Sequence, residues 1–155
     1  MSIAKHWNKL TAGAAAIALI LLMMAWHPWN SGDEPEIMVY KSATCGCCEQ
    51  WVKHLEADGF KVKTQNVADL SQIKQRYGVT QNLLACHTAL VDGYVVEGHV
   101  PAATIRRLLA ERPAIKGLSV PGMPAGSPGM EVGYSEPYAV LAFDANGNSS
   151  VYERR

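Results

Sequence analysis

Residues 37–60 read IMVYKSATCGCCEQWVKHLEADGF, and this stretch indicates a strand, a cysteine-rich turn and a helix in succession. The apolar run 37–40 is typical of a short buried strand. Residues 48–55 place Trp51, Val52 and Leu55 at helical spacing, and Asp58-Gly59 ends the helix. The sequence therefore predicts that the cysteines lie at the N-terminus of a helix.

The next segment continues the alternation of strand and helix. Residues 60–67 alternate between apolar and polar side chains, which predicts a half-buried strand. Residues 70–77 have the pattern of a second amphipathic helix, and Gly78 ends it. The first half of the domain is thus predicted to be β-α-β-α.

A hairpin and a third helix follow. Two short strands, 88–91 and 94–97, are joined by Asp92-Gly93, a strong hairpin signal. Residues 101–112 form an amphipathic helix with a proline in its first turn. The order β-α-β-α-β-β-α is that of a thioredoxin-like α/β fold.

The C-terminal third contains a long loop and an additional hairpin. Residues 117–133 are rich in Gly, Pro and Met without an apolar period, which predicts a loop with a functional role. Residues 138–143 and 150–153 are predicted strands around the Asn-Gly turn at 145–148. This C-terminal hairpin is expected to extend or cover the sheet.

The N-terminus has the layout of a targeting segment. Lys5 and Lys9 precede residues 10–26, which carry no charge and are about as long as the shortest membrane-spanning helices, roughly 17 residues. We interpret residues 1–29 as a signal peptide or N-terminal membrane anchor, residues 30–35 as a linker and residues 36–155 as the folded domain. The lysines favour the cytoplasmic side, which predicts that the domain lies outside the cytoplasm and contacts the membrane only through this segment.

Composition excludes some classes of partner. The chain has 155 residues, enough for one ordinary domain, and its 14 basic and 14 acidic residues balance. No run of like charge is typical of a nucleic-acid surface. Charge alone therefore predicts no polyanionic partner.

The four cysteines are the main chemical signal. Cys45 and Cys48 form a C-x-x-C pair at a helix N-terminus, where the helix dipole and free N–H groups stabilise thiolate. Cys47 adds a thiol that a simple disulfide exchanger does not need. Cys86 precedes the first hairpin strand, where the thioredoxin layout normally has a cis-proline that holds partner peptides. We expect all four thiols to face one small volume.

The type of metal follows from the softness of these ligands. Thiolates select copper(I), zinc or iron–sulfur and disfavour calcium and magnesium. Met123 and Met130 in the loop add thioethers, which favour copper(I) over zinc. Cys47 and Cys48 diverge by about 100° on a helix of about 3.6 residues per turn, so bridging thiolates in a cluster of several copper ions would use both.

Four motifs together carry a resemblance to a known family, and they are KSATCGCC (41–48), ACHT (85–88), VVEGHVPA (95–102) and VPGMPAGSPGM (120–130). In these motifs the chain resembles the CopG-type copper-resistance proteins. The resemblance implies a periplasmic, thioredoxin-like protein with a cysteine-bridged multinuclear copper site at Cys45, Cys47, Cys48 and Cys86. It also implies that His99 and Met123 help to bind the metal. Copper ions, and other periplasmic copper-handling proteins, are the partners it suggests.

Two other functions stay open from the sequence. The first is thiol–disulfide exchange, with Cys45 as nucleophile and Cys48 as resolving thiol; a change in the oxidation state of bound copper would be another oxidoreductase activity. The second is an interaction module stapled by two disulfides. We expect His54 to face solvent and His87 to point away from its neighbour Cys86 if that segment is extended.

Overall fold

Residues 35–155, the part of the chain that the computed structural model describes, contain seven strands and three α-helices. The strands are β1 (Ile37–Lys41), β2 (Val62–Asn66), β3 (Thr88–Val91), β4 (Tyr94–Glu97), β5 (Gly117–Ser119), β6 (Ala139–Phe143) and β7 (Ser149–Arg154). The helices are α1 (Gly46–Ala57), α2 (Ser71–Arg76) and α3 (Ala102–Glu111), and a short 3-10 helix, Gln81–Leu83, precedes β3.

The strands form one mixed sheet in the order β2-β1-β3-β4-β5-β6-β7. The pairs β1–β2 and β4–β5 are parallel and the other four pairs are antiparallel. From β1 to α3 the elements follow the order β-α-β-α-β-β-α that the sequence predicts. The predicted C-terminal hairpin is confirmed as β6–β7, and it extends the sheet through β5.

The middle of the sheet is covered on both faces. Val95 and Val96 are adjacent on β4, so their side chains point to opposite faces. Val96 belongs to the main core with the apolar sides of α1 and α3, whereas Val95 packs with Val79, Leu83 and Phe143. Adjacent residues of β4 are therefore both buried, which accounts for its apolar pair Val95-Val96 in place of an alternation.

Trp51 connects α1 to the segment that follows β4 through a hydrogen bond. Its side chain is fully buried in the main core. Its indole N–H donates a hydrogen bond of 2.8 Å to the carbonyl oxygen of Val100. The cysteine end of α1 is thereby fixed against the segment that carries His99.

Two strands differ from the expectation. β2 is predicted to be half-buried, but Lys63 to Asn66 are exposed or nearly so, because β2 is an edge strand that pairs only with β1. β5 lies within the predicted loop 117–133; three residues are too few to display a period, and β5 is stabilised by pairing with β4 and β6. Gly117 fits there because a Cβ would collide with the Val95 carbonyl.

The predicted targeting segment, 1–29, and residues 30–34 of the predicted linker lie outside the described residues. Within 35–155, none of the helices combines the length and apolarity that crossing a bilayer requires. The assignment of an anchor or signal peptide therefore stays a prediction.

Candidate metal centre

Cys45, Cys47 and Cys48 lie at the N-terminus of α1, as the sequence predicts. Cys45 occupies the N-cap position in an extended conformation, and its side chain makes no capping hydrogen bond. The N–H groups of the first turn are left without intrahelical partners, and this end of the helix favours negative charge. Thiolate, the form that binds metals, is stabilised in such a position.

The structure brings Cys86 to the same place. Its Sγ lies 3.4 Å from Sγ of Cys48 and 4.0 Å from Sγ of Cys47, and the Sγ atoms of Cys45 and Cys47 are 3.5 Å apart. All four sulfurs lie within 4.8 Å of one another. Cys45 and Cys48 form a disulfide, while Cys47 and Cys86 are free thiols.

Burial keeps Cys86 in the thiol form when no metal is bound. Desolvation, reinforced by the neighbouring Cys47, raises the pKa of the Cys86 thiol to about 12, and the Lys74 ammonium acts against this rise. Metal binding requires the thiolate, so a metal that binds Cys86 must displace its proton.

A buried carboxylate holds the segment that carries Cys86. Glu97, at the end of β4, is 0% exposed, and it accepts a hydrogen bond of 2.8 Å from the backbone N–H of Ala85 and one of 2.7 Å from the hydroxyl of Thr88. Lys74 forms an ion pair with Glu97 and donates to the Thr88 hydroxyl over 3.2 Å. One carboxylate thus fixes both sides of the Cys86-His87 dipeptide.

Sequence reasoning did not identify Lys74 or Glu97. Burial raises the pKa of the Glu97 carboxyl, and the charge of Lys74 opposes that effect. One sequence feature could have indicated this pair. Glu97 directly follows the apolar residues of β4, and an acidic residue at the end of a buried strand needs a partner.

His99, predicted to help bind the metal, faces the cysteine cluster. Its ring is fully buried, and its Nδ1 lies 2.7 Å from the carbonyl oxygen of Pro128. Its Nε2 lies 2.9 Å from Sγ of Cys86. Burial lowers the pKa of His99, which favours the neutral ring. Metal-binding histidines usually donate their second ring N–H to an oxygen in this way.

His87 does not point away from Cys86. The chain bends at Cys86 instead of continuing extended, and this bend brings Nδ1 of His87 to 3.3 Å from the Cys86 sulfur. The His87 ring packs on Trp51, with centroids 4.2 Å apart, and contacts the edge of His99 at 5.1 Å.

His54 has a structural contact instead of facing solvent freely. Its Nε2 accepts a hydrogen bond of 3.1 Å from the backbone N–H of Ala102, the first residue of α3. The imidazole therefore satisfies one of the N–H groups that the start of a helix leaves unpaired.

The loop after β5 covers the cluster. A Cβ on Gly129 would lie 2.7 Å from the carbonyl oxygen of Cys47 and 2.9 Å from the backbone nitrogen of Trp51, so only glycine allows this close approach to α1. The backbone of Gly122 forms a parallel bridge with Ala85. Met123 directly follows the residue that pairs with Ala85, the chain neighbour of Cys86.

Met123 stands at the edge of the site and not in its interior. Its side chain is 51% exposed, whereas Met130 is partly buried within the loop. The four cysteines form one group of possible metal ligands, and Cys86, His87 and His99 form a second group that shares Cys86. The metal-binding role predicted for the four cysteines, His99 and Met123 stays a prediction.

Comparisons with known proteins agree on one family. Residues 83–130 match the family model described as "Protein of unknown function, DUF411". Two solved structures of copper resistance protein CopG, Form 2 and Form 1, share 48% sequence identity with the chain at a TM-score of 0.75. Each alignment covers 79% of this chain, and 99% and 98% of the respective CopG chains. The search among curated proteins gave no match.

Proposed function

Since the chain belongs to the family of copper resistance protein CopG, we propose that it is a copper-binding protein that uses Cys45, Cys47, Cys48 and Cys86 as ligands. The observation that carries the proposal is the approach of all four sulfurs to within 4.8 Å of one another. Cys45 and Cys48 take part once a two-electron reductant has opened their disulfide.

The distances fit shared metal ions. Metal–thiolate bonds are about 2.3 Å long in zinc sites, so two sulfurs on one ion lie at most about 4.6 Å apart. The sulfur separations of 3.4, 3.5 and 4.0 Å are all below this limit. Thiolates together with the nearby imidazole of His99 form a soft donor set, which favours copper(I) over harder cations.

The number of donors supports a cluster. Four thiolates, His99 and Met123 exceed the ligands that one copper(I) ion needs. Thiolates that bridge two ions would use this surplus, and a multinuclear copper(I) site is therefore the form we propose. Met123, at the exposed edge, is the ligand through which copper would enter or leave.

We infer the cellular role from membership of the CopG family as well. The protein would bind copper in the periplasm, buffer it or pass it to other copper-handling proteins, and change its oxidation state. Residues 1–29 would target it there as a signal peptide or inner-membrane anchor, with 30–35 as a linker to the domain 36–155. The strand order β2-β1-β3-β4 with helices at the predicted positions supports a thioredoxin-like core.

Thiol–disulfide exchange is the second candidate. The disulfide between Cys45 and Cys48 at a helix N-terminus favours it, because redox-active pairs occupy this position. Cys47 and Cys86 have no role in such an exchange. A double variant Cys47→Ser/Cys86→Ser should therefore keep full exchange activity toward a model disulfide if exchange is the function, and should lose its copper if our proposal is correct.

Metal analysis tests the proposal on the protein as cells make it. The full-length chain, purified without oxygen from copper-supplemented cells, should contain copper in preference to zinc. Thiols should become titratable in proportion when a chelator removes the copper. Protein with no copper and an intact disulfide would contradict the proposal.

A further inference from the structure

Three of the four large apolar side chains that are exposed within residues 35–155 belong to the loop between β5 and β6. Met123, Val132 and Tyr134 are 51%, 56% and 68% exposed, and the fourth, Val151, lies on β7. Exposed apolar groups that are concentrated in one segment and bordered by polar residues are typical of interaction sites. Tyrosine and methionine are also residue types that protein interfaces favour.

Hydrogen bonds anchor the exposed part of this loop, residues 131–137, to the rest of it. The carboxylate of Glu131 accepts a hydrogen bond of 2.9 Å from the backbone N–H of Gly129, the glycine that packs on α1. Glu136 is bonded twice to Ala125. Its backbone N–H donates to the Ala125 carbonyl oxygen over 3.0 Å, and its carboxylate accepts from the Ala125 N–H over 2.9 Å. The exposed apolar side chains are thus attached to the cover of the cysteine cluster.

The loop carries negative charge only. Glu131 and Glu136 are the charged residues of the segment 120–138, and neither forms an ion pair within residues 35–155. The longer segment 117–153 contains four acidic residues and no lysine or arginine. This charge disfavours a second copy of the same face and an anionic lipid surface, whereas a basic protein surface is complementary to it.

Met123 connects this surface to the cysteine cluster. Its predecessor, Gly122, pairs with Ala85, the chain neighbour of Cys86. The free thiols of Cys47 and Cys86 belong to residues that are only partly buried. A thioether at this position can take copper(I) from an incoming protein, because soft sulfur ligands select that ion.

We propose that residues 123–136 are the docking surface for a second copper(I)-binding protein whose contact face is basic, and that Met123 is the first residue to take over its copper. This inference rests on the proposed function and names the chemistry of the partner. Copper(I) moves by ligand exchange without a change in oxidation state. Bonds from copper to the partner's neutral thioether or imidazole ligands break as bonds to Met123 and the cysteine sulfurs form. Each cysteine thiol that becomes a ligand gives its proton to water.

Two synthetic peptides reproduce the partner's basic face and its neutral counterpart. One carries two methionine pairs that bind copper(I), flanked by lysines, and the other has glutamine in place of each lysine. Added metal-free to the reduced, full-length, ¹⁵N-labelled protein, the lysine peptide should shift the amide signals of Val132 and Tyr134, and added salt should weaken the effect.

Three outcomes of this titration would overturn the proposal. The first is equal shifts with the glutamine peptide, and the second is shifts confined to segments outside residues 123–136. The third is a change of the signals from residues 131–137 with protein concentration alone, which would identify a second copy of the chain as the occupant.

Charge variants measure the electrostatic part of docking. Glu131→Gln with Glu136→Gln removes both charges and keeps oxygens that accept from the backbone. Copper transfer from the loaded lysine peptide should therefore slow by about tenfold. Asp144→Asn also removes a carboxylate charge, but it lies at the opposite end of β6 and should not change the rate. A rate that is the same in the double variant and in the parent would contradict the proposal.

Two valines provide the matched test of apolar contact. Val132→Ser should weaken binding of the lysine peptide, whereas Val151→Ser changes a similarly exposed valine on β7 and should not. Equal effects of the two would contradict docking at the loop. Copper uptake from a small chelator complex is measured in parallel. If the protein takes copper from neither source, the proposed function is wrong and the transfer role is lost with it, while the metal-free spectra still show whether the surface binds a basic peptide.

Discussion

The sulfur of Cys86 lies 3.4 Å from the sulfur of Cys48, although the two residues are 38 positions apart in the chain. This contact joins the turn before β3 to the first turn of α1. It depends on the bend at Cys86 and on the carboxylate of Glu97, which holds the flanking residues. The approach of these two sulfurs makes a site that no short motif contains.

Cys86→Ser should therefore lower copper capacity more than any single histidine change. Serine keeps the size but removes the soft, charged ligand. Copper(I) bound per chain, measured against a competing chelator, checks the expectation, with His99→Gln as the matched comparison. Unchanged capacity and affinity in Cys86→Ser would show that Cys86 is only structural.

Glu97→Gln should destabilise the fold strongly. It leaves the Lys74 ammonium buried without its partner, and breaking a buried pair in this way costs about 3–5 kcal/mol. Urea unfolding measures the loss in free energy of unfolding. The exposed pair Lys63–Glu36 supplies the control, because Glu36→Gln should change stability by at most about 1 kcal/mol.

A double variant separates the role of Glu97 in positioning Cys86 from its role in neutralising Lys74. Lys74→Met with Glu97→Leu removes both charges and both acceptor oxygens, so no ammonium stays buried without its partner. Copper affinity should stay weakened, because Ala85 and Thr88 lose the carboxylate that holds them. Full recovery of copper affinity in the double variant would contradict the idea that Glu97 positions Cys86.

Gly129→Ala should lift the loop from α1 and weaken copper binding. The new Cβ would collide with the backbone of Cys47 and Trp51. Gly133→Ala is a close control, since Gly133 has φ +90° against +86° for Gly129 but open space around it. Both variants carry the backbone strain of about 1–2 kcal/mol, so any additional loss of stability or affinity in Gly129→Ala reports the contact. Equal effects of the two would exclude a covering role for the loop.

Met123→Leu should lower the reduction potential of bound copper if its thioether is a ligand. Leucine keeps the volume nearly constant but removes the sulfur, which stabilises copper(I). Voltammetry of copper-loaded protein makes the comparison, with Met130→Leu as the control in the same loop. An unchanged potential and affinity in Met123→Leu would remove Met123 from the site.

The parts of the fold that local chemistry determines were predictable from the sequence. Asp92 and Gly93 both adopt positive φ, 47° and 86°, and the strands beside them run over the predicted residues 88–91 and 94–97. The convergence of the cysteines could be expected because the predicted thioredoxin-like layout places the segment before the hairpin against the start of the first helix.

Features that depend on contacts between distant segments were not predictable. Lys74 pairs with Glu97, which lies 23 positions later in the chain, and no sequence feature near either residue indicates this pairing. β5 has three residues and gains its hydrogen bonds from β4 and β6. The bend at Cys86 reverses the expected direction of His87, because Glu97 fixes the chain on both sides of it.

Copper(I) titration of the fully reduced, full-length protein against a competing chelator, with a parallel count of free thiols, decides whether the four cysteines bind a cluster. We expect saturation above one copper ion per chain, with all four thiols protected at the end point. Saturation at one ion or none, or thiols that stay free in the loaded protein, would contradict a cluster built on Cys45, Cys47, Cys48 and Cys86.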